Sequence, residues 1–280
     1  MLIEVGGKEA YAYTGGKPFD ASRPVVVFVH GAQHDHSVWS LQSRYLAHHG
    51  RAVLAIDLPG HGRSAGPPLR SVEAMADWVL ALLAAVDARS ASLVGHSMGS
   101  LIALEAASRS SQRSAEPHAA TIDAIVLVAT AYPMQVSDAL LDATVDDEDR
   151  AIEMISLWSL DTAHGGYSQK PSAPGPGFAV MTGGRQLMRR QPRGVLNNDF
   201  VACNTYRNGE VAAAEVRCPA LFILGINDAM TAAKSGRQLA AMLRDATVVA
   251  LPNVGHFVMA EAPDQTLDAI VGFLADRVDR

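Results

Sequence analysis

The sequence predicts an α/β fold: a mostly parallel central sheet flanked by helices, with a helical cap inserted between two strands of the core. Three observations carry the prediction. Six short runs, PVVVFV (24–29), AVLAID (52–57), ASLVG (91–95), IDAIVLVA (122–129), PALFILG (219–225) and ATVVALP (246–252), are β-branched and nearly unbroken in apolarity. Strands look like this when a parallel sheet buries both of their faces. Helical patterns alternate with these runs, as crossover connections on both faces of a sheet require. Between 131 and 210 the alternation stops, and helical segments follow one another.

In chain order, LIEV and AYAY read as an opening hairpin around Gly6–Gly7. SVWSLQSRYLAHHG reads as a helix closed by Gly50 at its C′ position. Ser71 is placed to cap a helix running to about Val86. Residues 98–109, 231–243 and 263–277 complete the core helices, the last with Pro263 in its first turn. The inserted stretch holds AYPMQVSDALL, the acidic DDEDR as a solvated helix start, an apolar helix around IEMISLWSL, the breaker run SQKPSAPGPGF and a further helical stretch. The expected division is a core of residues 1–130 and 211–280 around a cap of residues 131–210.

Composition excludes several classes. With 49% hydrophobic and 19% charged residues in 280, the chain is globular and core-rich. A net charge of −6, with its positive residues scattered, offers no face for nucleic acid. Two cysteines, Cys203 and Cys218, are too few for a disulfide scaffold and suit a reducing compartment, as buried small hydrophobes. No apolar stretch approaches the ~20 residues of a membrane helix, and the N-terminus lacks a signal-peptide pattern. The expected location is cytoplasmic, with no membrane partner.

The strongest chemical signal is ASLVGHSMGSLIAL. A strand ends in Gly95-His96-Ser97-Met98-Gly99 and an apolar helix begins at once. This is a sharp strand-to-helix turn that thrusts Ser97 out at the carboxyl edge of the sheet. Glycines suit it because strand and helix backbones approach too closely for Cβ atoms. Ser97 then sits at a helix N-terminus, where free N–H groups favour developing negative charge. A neutral serine is a poor nucleophile and needs a base, usually a histidine held by a carboxylate. Two later strand ends offer these: Asp228 in FILGIND and His256 in ALPNVGHF.

With these motifs the chain resembles the α/β-hydrolase superfamily, in its branch with a helical cap. The resemblance rests on His30-Gly31 after one strand, on Asp57-Leu58-Pro59-Gly60-His61-Gly62-Arg63-Ser64 after the next, and on the elbow at Ser97. It rests also on the order Ser97, Asp228, His256, which is that family's triad order. It implies a serine hydrolase whose oxyanion hole is made by the backbone N–H groups of Ala32 and Met98. Asp57 becomes a loop-bracing carboxylate, and His30 a residue that pins its loop. His96 and His61 read as structural, with a proton-transfer role for His96 as the rival. His34 and His36 at i and i+2 would need further ligands to hold a metal, so loop shape or substrate contact is the better reading. No metal or organic cofactor is called for.

The implied reaction is two-step acyl transfer from a small to medium, largely apolar ester, thioester or lactone, with water as second substrate. Trp39, Met98, Met134, Trp158, Tyr167, Phe178, Met181 and Phe257 are the candidates to line an apolar cleft, ordinary core packing being the rival for each. Arg189 and Arg190 are candidates to meet a substrate carboxylate. Carbon–carbon hydrolysis of diketone-type substrates stays open, although Phe257 stands where that group often carries Trp. So does a ligand-binding or receptor role that keeps the triad with little turnover. The fold often pairs through its cap or last helix, which admits a homodimer, but no residue selects an interface.

Overall fold

A computed structural model describes residues 1–113, 119–160 and 176–275, the side chains of the last segment from 180 onward. Eight strands form one sheet in the order β1-β2-β4-β3-β5-β6-β7-β8. The hairpin β1 (Leu2–Val5) and β2 (Lys8–Tyr13) is antiparallel, and β2 joins β4 (Ala52–Ile56) antiparallel. From there β3 (Val25–Val29), β5 (Ser90–His96), β6 (Thr121–Val128), β7 (Ala220–Gly225) and β8 (Ala246–Leu251) run parallel. Each of the six apolar runs is a strand within a residue or two of its expected limits.

The two faces alternate along the central strands. Val25, Val27 and Val29 point into one core layer, Val26 and Phe28 into the other. The first layer lies under α2 (Val72–Ala85) and α3 (Met98–Gln112). The second lies under α1 (Ser40–His48) and α11 (Pro263–Ala275), where Leu46, Ala47, Ile270 and Phe273 pack. Ser71 caps α2 as expected, its hydroxyl accepting from the Ala74 amide at 3.1 Å. A single-turn helix over His36–Trp39 precedes α1, capped by Asp35, so the helix expected from Ser37 begins in a tighter form.

Between β6 and β7 the described residues form α4 (Asp138–Asp146), α5 (Glu148–Trp158), α6 (Pro176–Arg189), α7 (Val195–Thr205) and α8 (Gly209–Glu215). Asp147 caps α5 by accepting from the Arg150 amide, so DDEDR is a helix start. Leu140, Ile152, Ile155, Met188, Leu196 and Phe200 bury themselves in a small cluster of their own. Ala202, Cys203, Tyr206, Ala212 and Ala213, by contrast, pack into the first sheet layer. The helices therefore rejoin the sheet core near residue 202. The short α9 (Ala233–Ala240) and α10 (Val258–Glu261) follow β7 and β8. No helix among the described residues is long and apolar enough to cross a membrane.

Candidate active site

Ser97 stands between β5 and α3 with φ 52° and ψ −118°, a conformation that costs a non-glycine residue energy and persists only when its surroundings enforce it. The surroundings do. The Ser97 amide donates to the Val128 carbonyl at 2.9 Å, tying the elbow to β6. A Cβ on Gly95 would strike the Gly99 carbonyl, and one on Gly99 would strike the Val29 carbonyl. The tight turn thus demands both glycines.

Asp228 and His256 come together across the loops after β7 and β8, Asp228 Oδ2 to His256 Nδ1 at 2.9 Å. A carboxylate only accepts, so Nδ1 carries the hydrogen and Nε2 keeps its lone pair. Asp228 is itself locked: Oδ1 accepts the amides of Met230 and Thr231, each at 2.8 Å, and Oδ2 accepts the Thr231 hydroxyl at 2.6 Å. Burial alone would raise its carboxyl, but the neighbouring His256 ring and these hydrogen bonds hold it below the usual range. Thr231, whose oxygen also lies 3.2 Å from His256 Nδ1, was not singled out from the sequence. The signal was present as Asp-x-x-Thr, the spacing by which an aspartate turn satisfies its own loop. Ser97 and His256 line one cavity of about 380 Å³ with Ala32, Met134, Leu140, Trp158, Phe200 and Met230.

The other expected cleft residues separate. Met134 and Trp158 line the cavity. Trp39 does not: it is fully buried against Phe28, with its indole N–H donating to the Val29 carbonyl at 3.2 Å. The Met98 side chain is likewise core. Met181 packs with Leu160 and Phe257, and Phe257 with Arg190 lines a second cavity of about 420 Å³. Arg189 is engaged with Asp149 at 3.0 Å. Tyr167 and the Phe178 side chain lie outside the described residues.

The histidines of HGAQHDH have separate duties. His30 Nδ1 donates to the Gly31 carbonyl at 2.8 Å, and its Nε2 accepts the Leu58 amide at 3.1 Å, pinning two loops together. His34 Nδ1 donates to the Ala32 carbonyl at 2.7 Å. His36 faces Asp57, whose Oδ1 also accepts the His36 amide at 2.7 Å while Oδ2 accepts the Arg63 amide at 2.9 Å. Among the described residues the ligand-type atoms of Asp35, His36 and Asp57 lie within 4.8 Å of one another. Those of Asp57 already brace the loops, and His34 is not part of the group.

A carboxylate from α7 organises the same loop. Asp199 is fully buried; its Oδ2 accepts the Gln33 amide at 2.9 Å and faces His61 Nε2 at 2.8 Å. His61 Nδ1 faces the Pro59 carbonyl at 3.1 Å. Both partners are acceptors, so both nitrogens carry hydrogens and the ring is an imidazolium. Burial opposes that charge, but Asp199 and the hydrogen bonds outweigh it and raise the His61 value. Gln33, at φ 53°, is held at its other end by Glu148, which accepts from Nε2 at 2.7 Å and from the Gly194 amide at 2.9 Å. The Ser159 carbonyl, closing α5, accepts the His256 amide at 2.8 Å.

These environments set a pH dependence. Burial pushes His34 down to about 4 from 6.5, and pushes His30 and His96 well below it. The unfolded chain therefore binds more protons than the native one between pH 6.5 and about 4, and stability falls as pH falls through that window. His34 alone contributes about 3 kcal/mol of that loss. His61 acts oppositely: its contribution is full below 6.5 and is lost as pH rises through its raised folded value. Three groups against one predict a urea midpoint that declines steadily from pH 7 to 4.5. A midpoint flat across that range would contradict the assignment of neutral, buried rings.

A mostly parallel eight-stranded sheet, its chemistry-bearing loops gathered at the carboxyl edge, is the α/β-hydrolase fold. The chain belongs to the alpha/beta hydrolase family, whose model matches residues 26–269, and it is a hydrolase of carboxylesterase-like type. It is 30% identical over 241 residues to the pimeloyl-(acyl-carrier protein) methyl ester esterase of Chromobacterium violaceum, covering 83% of this chain and 87% of that one. It is 28% identical over 277 residues to the dihydrolipoyllysine-residue acetyltransferase component of the acetoin cleaving system of Pseudomonas putida. That match covers 97% of this chain but only 65% of the relative's length. The enol-lactonase of Burkholderia xenovorans LB400 superposes with a TM-score of 0.81 at 23% identity, over 98% of this chain and 100% of that one, which is a likeness of fold.

Proposed function

We propose that the protein hydrolyses small to medium, uncharged acyl esters through a Ser97–His256–Asp228 triad and an acyl-enzyme. The observation that carries this reading is His256, held by buried Asp228, lining one cavity with strained Ser97. His256 Nε2 takes the Ser97 proton as Oγ attacks the acyl carbon, and Asp228 stabilises the imidazolium that forms. The Ala32 and Met98 amides stabilise the oxyanion. His256 then protonates the leaving group, and water releases the acid in the second step.

Substrate class follows from the lining. Met134, Leu140, Trp158, Phe200 and Met230 bring no formal charge, which favours an apolar acyl chain and disfavours a carboxylate beside the scissile bond. A volume of about 380 Å³ is at the small end for ligand pockets. We take α4 to α7 as the cap over this cavity, with residues 131–210 as its extent. The reading is supported by Glu148, Ser159, Gln191 and Asp199, which reach core loops by hydrogen bonds.

The test is intact mass after a fluorophosphonate, followed by p-nitrophenyl esters of rising chain length. One adduct is expected on wild type and none on Ser97→Ala. Among the esters, kcat/KM should rise to a short or medium chain and then fall. A folded wild type that takes no adduct and cleaves no ester would overturn the proposal.

A further inference from the structure

Among the described residues, five buried side-chain polar atoms have no hydrogen-bond partner in the protein, and three of them gather beside the proposed triad: His34 Nε2, His96 Nδ1 and Ser159 Oγ. All three residues line one recess of about 30 Å³, together with Gly31, Ala32, Ser97, His256 and Phe257. Their chemistry is defined by their other bonds. His34 Nδ1 donates to the Ala32 carbonyl, and His96 Nε2 donates to the His256 carbonyl at 3.0 Å. The free nitrogen of each neutral ring is therefore a bare acceptor. Ser159 contributes a hydroxyl that can donate.

The two acceptors and the hydroxyl of these three side chains call for a group that brings O–H bonds. The volume fits a single water-sized group; Ile155, Met188, Phe200 and Met230 make the rest of the wall apolar, which leaves the three side chains to offer the polar partners that such a guest needs. Gly31 keeps the recess open: a Cβ there would come within 2.9 Å of His96 Nδ1.

We propose that this recess binds the water of the second step, with His34, His96 and Ser159 as the residues that position it against the acyl-Ser97 ester. The proposal rests on the acyl-enzyme reading above. Ser159 donates to the water oxygen, and the imidazole nitrogens of His34 and His96 accept from it. On attack, one water O–H turns to His256 Nε2 while the other stays on an imidazole of the recess. The water oxygen bonds to the acyl carbon and its proton passes to His256. The carbon–Oγ bond breaks, and Ser97 recovers a proton from His256 as the acid leaves. None of the three residues forms a covalent bond; they act by position, which lowers the entropy lost when water enters.

The test is rapid-mixing kinetics with p-nitrophenyl acetate on wild type, Ser159→Ala and His34→Asn. The alanine leaves the Ser159 carbonyl to hold His256, and the asparagine keeps an N–H for the Ala32 carbonyl while removing the Nε2 acceptor. Both variants should keep a full burst of nitrophenol but turn over at least tenfold more slowly. Acetylated protein should accumulate in quenched mass spectra, and hydroxylamine, a stronger nucleophile, should restore turnover. A structural defect would lower burst and turnover together, and that result, or deacylation at the wild-type rate, overturns the proposal. A wild type that labels at Ser97 with a fluorophosphonate separates these outcomes from failure of the triad, since a wild type that is never acylated overturns both readings.

Discussion

Ser97→Ala is expected to lower kcat/KM by at least about 10⁴-fold, roughly 5 kcal/mol or more of barrier, on whichever ester the wild type cleaves best. The cavity, the Ala32 and Met98 amides and the Asp228–His256 pair all survive the substitution, so binding is retained while the nucleophile is lost. His256→Ala should cost a similar factor because an unassisted hydroxyl is a weak nucleophile at neutral pH. On the proposed triad the double variant should be no slower than the worse single one, since members of a triad act as one unit. Asp228→Asn probes orientation: an amide facing Nδ1 favours the wrong histidine tautomer, a loss of about 10⁴-fold in comparable triads. Steady-state kinetics with matched unfolding curves would check all of these. Additive losses, or a Ser97→Ala variant retaining a tenth of the activity, would assign the chemistry elsewhere.

Asp199→Ala carries the largest expected effect on stability. It leaves the His61 ring buried without its counter-charge and the Gln33 amide without its acceptor, contacts of 2.8 and 2.9 Å in the native protein. Removing one member of a buried, hydrogen-bonded charge pair costs about 3–5 kcal/mol. For a domain of this size that is on the order of 10 °C in Tm. Activity should fall as well, because Gln33 is the residue next to Ala32 and its amide is what Asp199 anchors. Loss of one oxyanion donor's alignment is worth about 10²- to 10³-fold in kcat. Asp199→Asn separates the two effects. Its amide oxygen, standing where Oδ2 stands, can still accept from both the Gln33 amide and His61 Nε2, without the counter-charge. The asparagine variant should therefore recover most of the kcat, with a smaller loss of Tm. An alanine variant with unchanged Tm and kcat would contradict the clamp.

How far the site could be read in advance depended on the range of each signal. The elbow is local: Gly95, Ser97 and Gly99 lie within five residues, and the steric demand that selects glycine acts between adjacent elements. Asp228 and His256 are legible because strand ends of a parallel sheet share one edge, so chain order is enough to pair them. Trp39 reads as a pocket candidate in the sequence because an aromatic after a loop looks alike whether it turns to a cleft or to a core. Burial against Phe28 and a bond to the Val29 carbonyl decide it. DDEDR shows the opposite limit. Asp149 sits on the surface pairing with Arg189 and Arg193, as a charge run usually does, while its neighbour Glu148 is buried on Gln33.

The sequence by itself determined the strands, the flanking helices, the serine elbow and the two strand ends that carry Asp228 and His256 to one contact. Those depend on apolar periodicity, on glycine sterics and on the order of strand ends, all of which act over short stretches or follow from parallel topology. Only the tertiary structure decided that Asp199 is the anchor of a loop 166 residues away, that His61 is charged, and that His34, His96 and Ser159 share one recess. A buried polar contact has no periodicity. Its partner is set by where the folded chain brings a donor and an acceptor out of water together.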